Sequence, residues 1–417
     1  MNILVLGGGG REHAIAWALA KSPRTDNLYA APGNGGTDSV AQNVAGLNAE
    51  DGQAVLEFVK GNAIDLVVIG PEAPLVAGVA DVLREAGVAV FGPDAQGAQL
   101  EGSKTYSKEF MQANGIPTAR YGSFTELEPA LEYVHELGAP VVVKADGLAA
   151  GKGVVVADTI EVAENAVRSC FDGAFGSAGS TVLVEECLTG PECSLLAFVS
   201  GGKAHCMATA QDHKRAFDGD RGPNTGGMGV YSPVPIVTDE ELADMTHMMK
   251  VAAAATAREP FKNDYRGVLY GGFMLTPEGP KVLEYNARFG DPETQAVLSR
   301  LDADLYDIFN AVIDEKLEDI DIKWADNAAC CVCMASGGYP KAYEKGKEIT
   351  GLDDVTDSFV FHAGTAVKDG KMVTNGGRVL GVTATAPTLD EAIRKAYADV
   401  KKISFDKVHY RTDIGVK

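Results

Sequence analysis

Between Asn2 and Phe91 the sequence repeats one pattern: an apolar run of strand length, then a segment of helical periodicity. NILVLG leads into REHAIAWALAKS, IDLVVIG leads into PEAPLVAGVADVLREAG, and VAVFGP follows. Strands separated by helices at this spacing cannot close as tight hairpins, so they build βαβ units on a parallel sheet. Ligands of such sheets gather at the strand C-termini. From Gly102 the pattern changes. A helical piece GSKTYSKEFMQANG precedes the strand APVVVKA, which runs into DGLAAGKG and out again as VVVA, a glycine loop between two β-rich runs. STVLVEECLTGPECSLLAFVS gives two strands around a short hinge, and a last unit runs from AACCVCMASGGYP to the helix LDEAIRKAYADVKKI.

The expected fold is therefore multidomain, α/β and α+β: an N-terminal parallel sheet over residues 1–102, a central region over 103–325 with a flap at about 121–188, and a small α+β unit over 326–417. Composition narrows the function classes. Apolar residues make up 46% and charged residues 23%, without a run of about 18 uncharged apolar residues to span a bilayer. The start MNILVLGGGG lacks the cationic stretch and cleavage site of a signal peptide, so a cytoplasmic protein is expected, and the end of the chain soon after RTDIG leads to the expectation of a monofunctional one. A net charge of −21 repels a phosphate backbone and argues against nucleic acid. Cys330, Cys331 and Cys333 lack the C-x-x-C spacing of metal and redox sites and read as reduced thiols in a buried strand.

Three stretches carry chemistry. The run Gly7 to Gly10 sits where a dinucleotide fold places its phosphate turn, but position 12 is Glu where the fingerprint needs glycine. A strand, glycine turn and helix N-terminus still suit an anion, and a tight turn without a ligand is the alternative. Lys144 with ADGLAAGKG has one spacer too few for a Walker loop and no Ser or Thr after the lysine. It reads either as a flap whose N–H groups fold over a polyphosphate or as an ordinary hairpin loop. In VLEYNARFGDPET, alternation puts Glu284 and Asn286 on one face and Leu283 and Tyr285 on the other. A carboxylate and an amide oxygen in register are hard ligands suited to magnesium, with Arg288 next on the same face; the alternative is an ion-paired Glu284 and Arg288 in a structural turn.

Lys144 before a glycine flap, the hinge EECL followed by Glu192, and the strand EYN resemble the ATP-grasp superfamily. GGREHA (9–14), APGNGGT (31–37), GPEAPL (70–75), LEGSK (100–104), KADGLAAGKGV (144–154), QDHKR (211–215), GPNTGGMG (222–229), RFGDPETQ (288–295) and NGGRVL (375–380) resemble, within it, the phosphoribosylamine-glycine ligase family. The resemblance spans essentially the whole chain in the family's order. It implies ligation of glycine to 5-phosphoribosylamine at the expense of ATP, through a glycyl phosphate, in purine synthesis.

By that resemblance Lys104 and Lys144 contact the ATP phosphates, the loop Gly147 to Gly153 including Gly151 covers them, Glu185, Cys187, Leu188 and Leu283 border the base, and Glu192 accepts from the ribose. Glu284 and Asn286 match the ligands of Mg2+ or Mn2+, and Arg288 joins Lys144 in catalysis. The turn Gly9, Gly10, Arg11, Glu12 with Pro71 and Glu72 faces phosphoribosylamine; Asp212, Lys214, the loop Asn224, Thr225, Gly226, Gly227, Met228, and Asp291 with Pro292 complete the substrate site. Which group holds glycine stays open. Two departures stand out: GVLYGGFML lacks the further metal-binding glutamate many ATP-grasp enzymes carry, and position 8 is glycine where the family often has asparagine. Small-molecule partners and a monomer are expected. Competing readings are a different ATP-grasp ligase, a nucleotide sensor with a dead site, and a nicotinamide oxidoreductase.

Overall fold

The chain is described by a computed structural model over residues 1–147 and 153–416. Its first sheet is parallel throughout, with strands in the order Gln42–Asn43, Asn27–Pro32, Asn2–Gly7, Leu66–Ile69 and Ala89–Phe91. NILVLG and LVVI are uninterrupted apolar runs because both faces of a parallel sheet are covered. The order switches direction around Asn2–Gly7, so the crevice between its C-terminus and that of Leu66–Ile69 is where a ligand of this sheet belongs. The helix Gly10–Leu19 leaving that crevice is buried on every side, against the helix Glu293–Leu298 and the strand Ser358–His362. PEAPLVAGVADVLREAG, read as one helix, is two, Glu72–Val76 and Val79–Glu85, because Gly78 takes φ +79° between them.

Two four-stranded antiparallel sheets follow. One runs Tyr121–Phe124, Val182–Glu186, Val141–Ala145, Val154–Ala157, covered by the helices Leu127–Leu137 and Ile160–Phe171. The other runs Lys203–Cys206, Glu192–Ser200, Gly267–Thr276, Gly279–Asn286, backed by the helix Asp239–Thr256. The expected hairpin around the glycine flap is therefore present, but Gly151 lies outside the described residues.

The last sheet crosses the expected division at 325. Its order is Gln211–Asp212, Gly229–Ser232, Ala328–Ala335, Arg378–Ala386, Ser358–His362, so two of its strands come from the central region. They are short strands flanking a loop, too brief for their partner to be readable from local pattern. Cys330, Cys331 and Cys333 lie in the fully buried strand Ala328–Ala335, among cysteines that are all free. One apolar core joins the parallel sheet, the second antiparallel sheet and the last sheet through Ile15, Phe91, Phe198, Phe289, Phe309 and Phe361, while the sheet around Val141–Ala145 has a core of its own.

Candidate active site

A cavity of about 630 Å³ opens between the two antiparallel sheets and the switch point of the parallel one. One wall is cationic. Lys104 begins the helix Lys104–Ala113, capped by Ser103 Oγ, and its Nζ donates to Gly147 O (2.8 Å) at the start of the flap. Asp146 fixes that junction by accepting from Lys104 N and from Ser103 Oγ (3.1 Å). Lys144 Nζ donates to Glu185 Oε2 (2.9 Å), which Lys108 Nζ also meets at 3.1 Å. All three side chains are at most 10% exposed, so a single carboxylate holds two buried ammonium groups. Burial pushes Lys108 down to about 8. Glu185, expected beside the base, lines the cavity but is tied to these lysines.

Cys187 and Leu188 line the same end together with Val142, Val154, Val156 and Met274. Leu283 lines it too, against the alternation that turned it away. The ladder slips between Gly272 and Phe273, which pair with Glu284 and Val282, so Leu283 is the extra residue of a bulge and stands on the same wall as Glu284. Val282 and Tyr285 face the core.

Glu284 and Asn286 both reach the cavity. Burial would raise the Glu284 carboxyl, yet Lys214, Lys144, Lys104 and Arg288 hold it below its ordinary value, ionised and surrounded by cations. Gly272, opposite it in the ladder, brings no side chain over it. Two hard oxygen donors at the edge of a cationic wall fit a divalent ion that takes its remaining ligands from phosphate and water. Among the described residues no cluster of three or more His, Cys, Asp or Glu could hold a metal by itself. Arg288 does not pair with Glu284. Its Nη2 donates to Glu101 Oε1 (2.7 Å) and its Nε to Glu72 Oε2 (3.3 Å), and these carboxylates push the guanidinium well up against the opposing effect of burial.

The far end is crowded with carboxylates. Asp212, Glu192, Asp291 and Glu293 line it, with Lys214 and Arg378 between them. Lys214 meets Glu192 at 3.2 Å, so the carboxylate expected at the ribose already has a cation. Glu293 is buried and accepts from Tyr270 Oη (3.0 Å) and Ser194 Oγ (3.2 Å). Burial, then the neighbouring Glu293, push Asp212 up to about 8. Arg378 Nη1 donates to Gly226 O (2.6 Å) and Asp291 O (2.7 Å), and its Nη2 meets Asp291 Oδ2 at 3.3 Å, pinning the glycine loop onto the 288–295 turn.

Of the expected substrate residues, Arg11, Glu72, Asp212, Lys214, Asn224, Thr225, Gly226 and Asp291 line the cavity. Gly9, Gly10, Glu12, Pro71, Gly227, Met228 and Pro292 do not. Met228 is fully buried, and Gly227, at φ +115°, packs where a Cβ would strike Pro292. In the first glycine turn Glu12 folds back so that Oε2 accepts from Gly9 N (2.7 Å). Gly7 and Gly70 have no side chain because Glu12 fills that space: a Cβ on Gly70 would lie 2.2 Å from its Oε1. A carboxylate thus occupies a donor expected to meet an anion, while Gly9 stays adjacent to the cavity, a Cβ there reaching 3.3 Å from Asp291 Oδ2.

Sequence reasoning gave no role to Glu101, Lys108, Tyr270, Glu293 or Arg378. Lys108 follows Lys104 by one helical turn, the spacing that puts both on one face, and that signal could have found it. Glu101, Glu293 and Arg378 lay inside LEGSK, RFGDPETQ and NGGRVL, but nothing local said where they point.

The N domain of phosphoribosylglycinamide synthetase matches residues 1–101, its ATP-grasp (A) domain 102–294 and its C domain 329–417. The phosphoribosylamine-glycine ligases of Vibrio parahaemolyticus and Rhizobium meliloti are each 50% identical, over 100% of this chain and 98% of the relative. The crystal structure of phosphoribosylamine-glycine ligase from Thermotoga maritima superimposes with a TM-score of 0.85 at 37% identity, covering 99% of this chain and 100% of that one. The biotin carboxylase domain of Hydrogenobacter thermophilus 2-oxoglutarate carboxylase, crystallised with magnesium ADP and bicarbonate, shares the fold at a TM-score of 0.73 and 17% identity, over 98% and 91% of the two chains. Three consecutive domain matches and full-length identity of one residue in two place the chain in the phosphoribosylglycinamide synthetase family.

Proposed function

We propose that this chain, a phosphoribosylamine-glycine ligase, works through the cavity just described. The observation that carries the reading is one space with a lysine and arginine wall at one end and an excess of carboxylates at the other. The activity joins glycine to 5-phosphoribosylamine with ATP cleaved to ADP and phosphate. A carboxylate resists an amine because its charge repels the nucleophile and oxide is a poor leaving group. Transfer of the γ-phosphoryl group to a glycine oxygen breaks the bond to ADP and gives a glycyl phosphate; attack by the phosphoribosylamine nitrogen then forms the amide and expels phosphate.

In this reading Lys104 and Lys144 balance the ATP phosphates, and Arg288, held by Glu72 and Glu101, meets the phosphoryl group in transfer. Cys187, Leu188 and Leu283 border the base. Glu284 and Asn286 would hold Mg2+ or Mn2+, which when bound withdraws charge from the phosphoryl oxygens; the magnesium nucleotide in the carboxylase of the same fold supports this. Asp212 and Glu293 take the ammonium of glycine, since an added cation relieves the crowding that pushes Asp212 up. Arg11, Glu72 and Asp291, at the switch point, face phosphoribosylamine. The loop Gly147 to Gly153 covers the phosphates and excludes water.

The same proposal includes a cytoplasmic monomer organised as residues 1–102, 103–325 and 326–417, with the last sheet bridging the second boundary. Among the described residues no helix is long and apolar enough to cross a membrane. The test is phosphate release from ATP with magnesium and freshly prepared phosphoribosylamine, with and without glycine. Release that requires both substrates supports the reading; glycine-independent release means that another acid is activated.

A further inference from the structure

Arg411 is 1% exposed and is the largest fully buried side chain among the described residues, yet it lies outside the cavity. Four of its five N–H groups are bonded. Nε and Nη2 donate to the two oxygens of Asp413 (2.7 and 2.8 Å), and Nη1 donates to Asp220 Oδ1 (2.8 Å) and Arg215 O (3.1 Å). The neighbours make matching bonds. Thr412 N donates to Asp218 Oδ1 (2.8 Å), Gly219 N to Asp413 Oδ2 (2.8 Å) and His409 Nε2 to Ala216 O (2.7 Å), while the His409 and Phe217 rings meet edge to face. Apart from the Arg411–Asp413 pair itself, each of these contacts joins the 409–413 segment to a single hairpin, Arg215–Phe217 paired with Arg221–Asn224.

Arg378 holds the base of that hairpin at Gly226, but its tip has little to hold it besides the 409–413 segment. Ala216 is its one buried strand residue, and Arg221–Asn224 is exposed throughout. A lone two-stranded hairpin is marginal in water, so its position is set by what clasps it. Its open end is the active site. Lys214 precedes the first strand, and Thr225, following the second, donates through N and Oγ1 to Lys214 O (2.7 and 2.8 Å). Lys214, Asn224, Thr225 and Gly226 line the cavity, and Asp212 is two residues upstream of Lys214.

We propose that Arg411, with Thr412 and Asp413, is a positioning group that clasps the tip of this hairpin and thereby sets Lys214 and the Asn224 to Gly226 loop in the cavity beside Asp212, the group assigned to the glycine ammonium. The motif RTDIG then serves the substrate site from a distance. This rests on the glycine assignment made above. The buried guanidinium reaches the hairpin through Nη1 and forks on Asp413, whose Oδ2 in turn accepts from Gly219 N, a planar arrangement that a lysine cannot reproduce.

The test uses Arg411→Lys and, from the exposed side, the double variant Asp218→Asn with Asp220→Asn, which leaves Arg411 in place. Asp220 sits at φ +52°, a conformation asparagine tolerates. KM for glycine is expected to rise about tenfold or more in both, the equivalent of a lost positioning hydrogen bond. ATP affinity, from direct nucleotide titration, should stay within about twofold, and amides 215–224 should exchange faster. Unchanged KM for glycine in either soundly folded variant overturns the proposal, whether or not exchange rises. Equal loss of ATP and glycine binding with a lowered melting temperature also overturns it, because the motif is then only structural. Wild-type protein that releases phosphate without glycine would instead sink the functional reading on which the proposal stands.

Discussion

The two ends of the cavity treat buried charge in opposite ways. At the flap end the protein supplies both signs: Glu185 sits between Lys144 and Lys108, and Arg288 between Glu101 and Glu72. At the hairpin end the carboxylates outnumber their cations, and Asp212 is left with burial and Glu293 pushing it up to about 8. Charges paired within the protein fix geometry for a ligand that brings charge of the opposite sign in bulk, here a polyphosphate with its metal. An uncompensated carboxylate marks the place where the ligand itself supplies the cation. In the proposed reading, the difference separates the end that activates from the end that selects.

Removing the centre of the cationic end should have the largest effect. Glu284→Ala is expected to lower phosphate release by about a thousandfold, with little change in melting temperature, because in the proposed reading it removes the charged metal ligand from an open cavity. Activity within a few-fold of wild type would place the metal elsewhere. Arg288→Ala comes next. It should lower turnover by about a hundredfold and, by leaving the nearly buried Glu101 without its cation, destabilise the protein by about 3 kcal/mol in urea unfolding. Loss of turnover without loss of stability would show that Glu101 relaxes into water.

Asp212→Asn probes the other end. KM for glycine should rise about tenfold, with ATP affinity preserved. The pH dependence has a definite sign. A folded carboxyl titrating at about 8 carries a proton that the unfolded chain has lost, so the stability of the ligand-free protein falls as pH rises from about 4 to 8, and Asp212→Asn should flatten that fall. KM for glycine in the wild type should fall over the upper part of the same range as Asp212 ionises, and a pH-independent KM would remove Asp212 from the glycine site.

The smallest effect on activity is expected far away, at Asp399. This carboxylate is fully buried but completely served by the protein, accepting from Thr356 N, Asp357 N (2.9 Å) and Lys402 Nζ (2.8 Å). Despite burial, Lys402 and these bonds lower it to about 2. Its contribution is complete above about pH 4 and is lost as pH falls through 2, the reverse of Asp212. Asp399→Asn should cost about 1–2 kcal/mol of stability at neutral pH with turnover unchanged. A change in KM for glycine there would break the distinction between carboxylates that await a ligand and those that do not.

Much of the site was legible because its chemistry is local. Lys144 before a glycine loop, Glu284 and Asn286 two apart on a strand, and the alternation of strands and helices before Phe91 are short-range patterns, and short-range patterns survive in one dimension. Leu283 shows where that ends: one bulge, decided by how the strand pairs with Gly267–Thr276, turned it onto the cavity wall. Glu12 shows it again, since a residue at an expected anion turn became the carboxylate that caps the turn.

What the sequence by itself determined was the family, the order of elements and the residues rich in chemistry, because periodicity and motif spacing depend on neighbours along the chain. Only the tertiary structure decided that Arg288 is held by Glu101 and Glu72, that Arg378 pins Gly226 to Asp291, that the last sheet takes strands from the central region, and that Arg411 clasps a hairpin nearly 200 positions earlier. Those partners are chosen by burial. A charged group removed from water must find its counter-charge wherever the fold brings one, and sequence distance has no part in that choice.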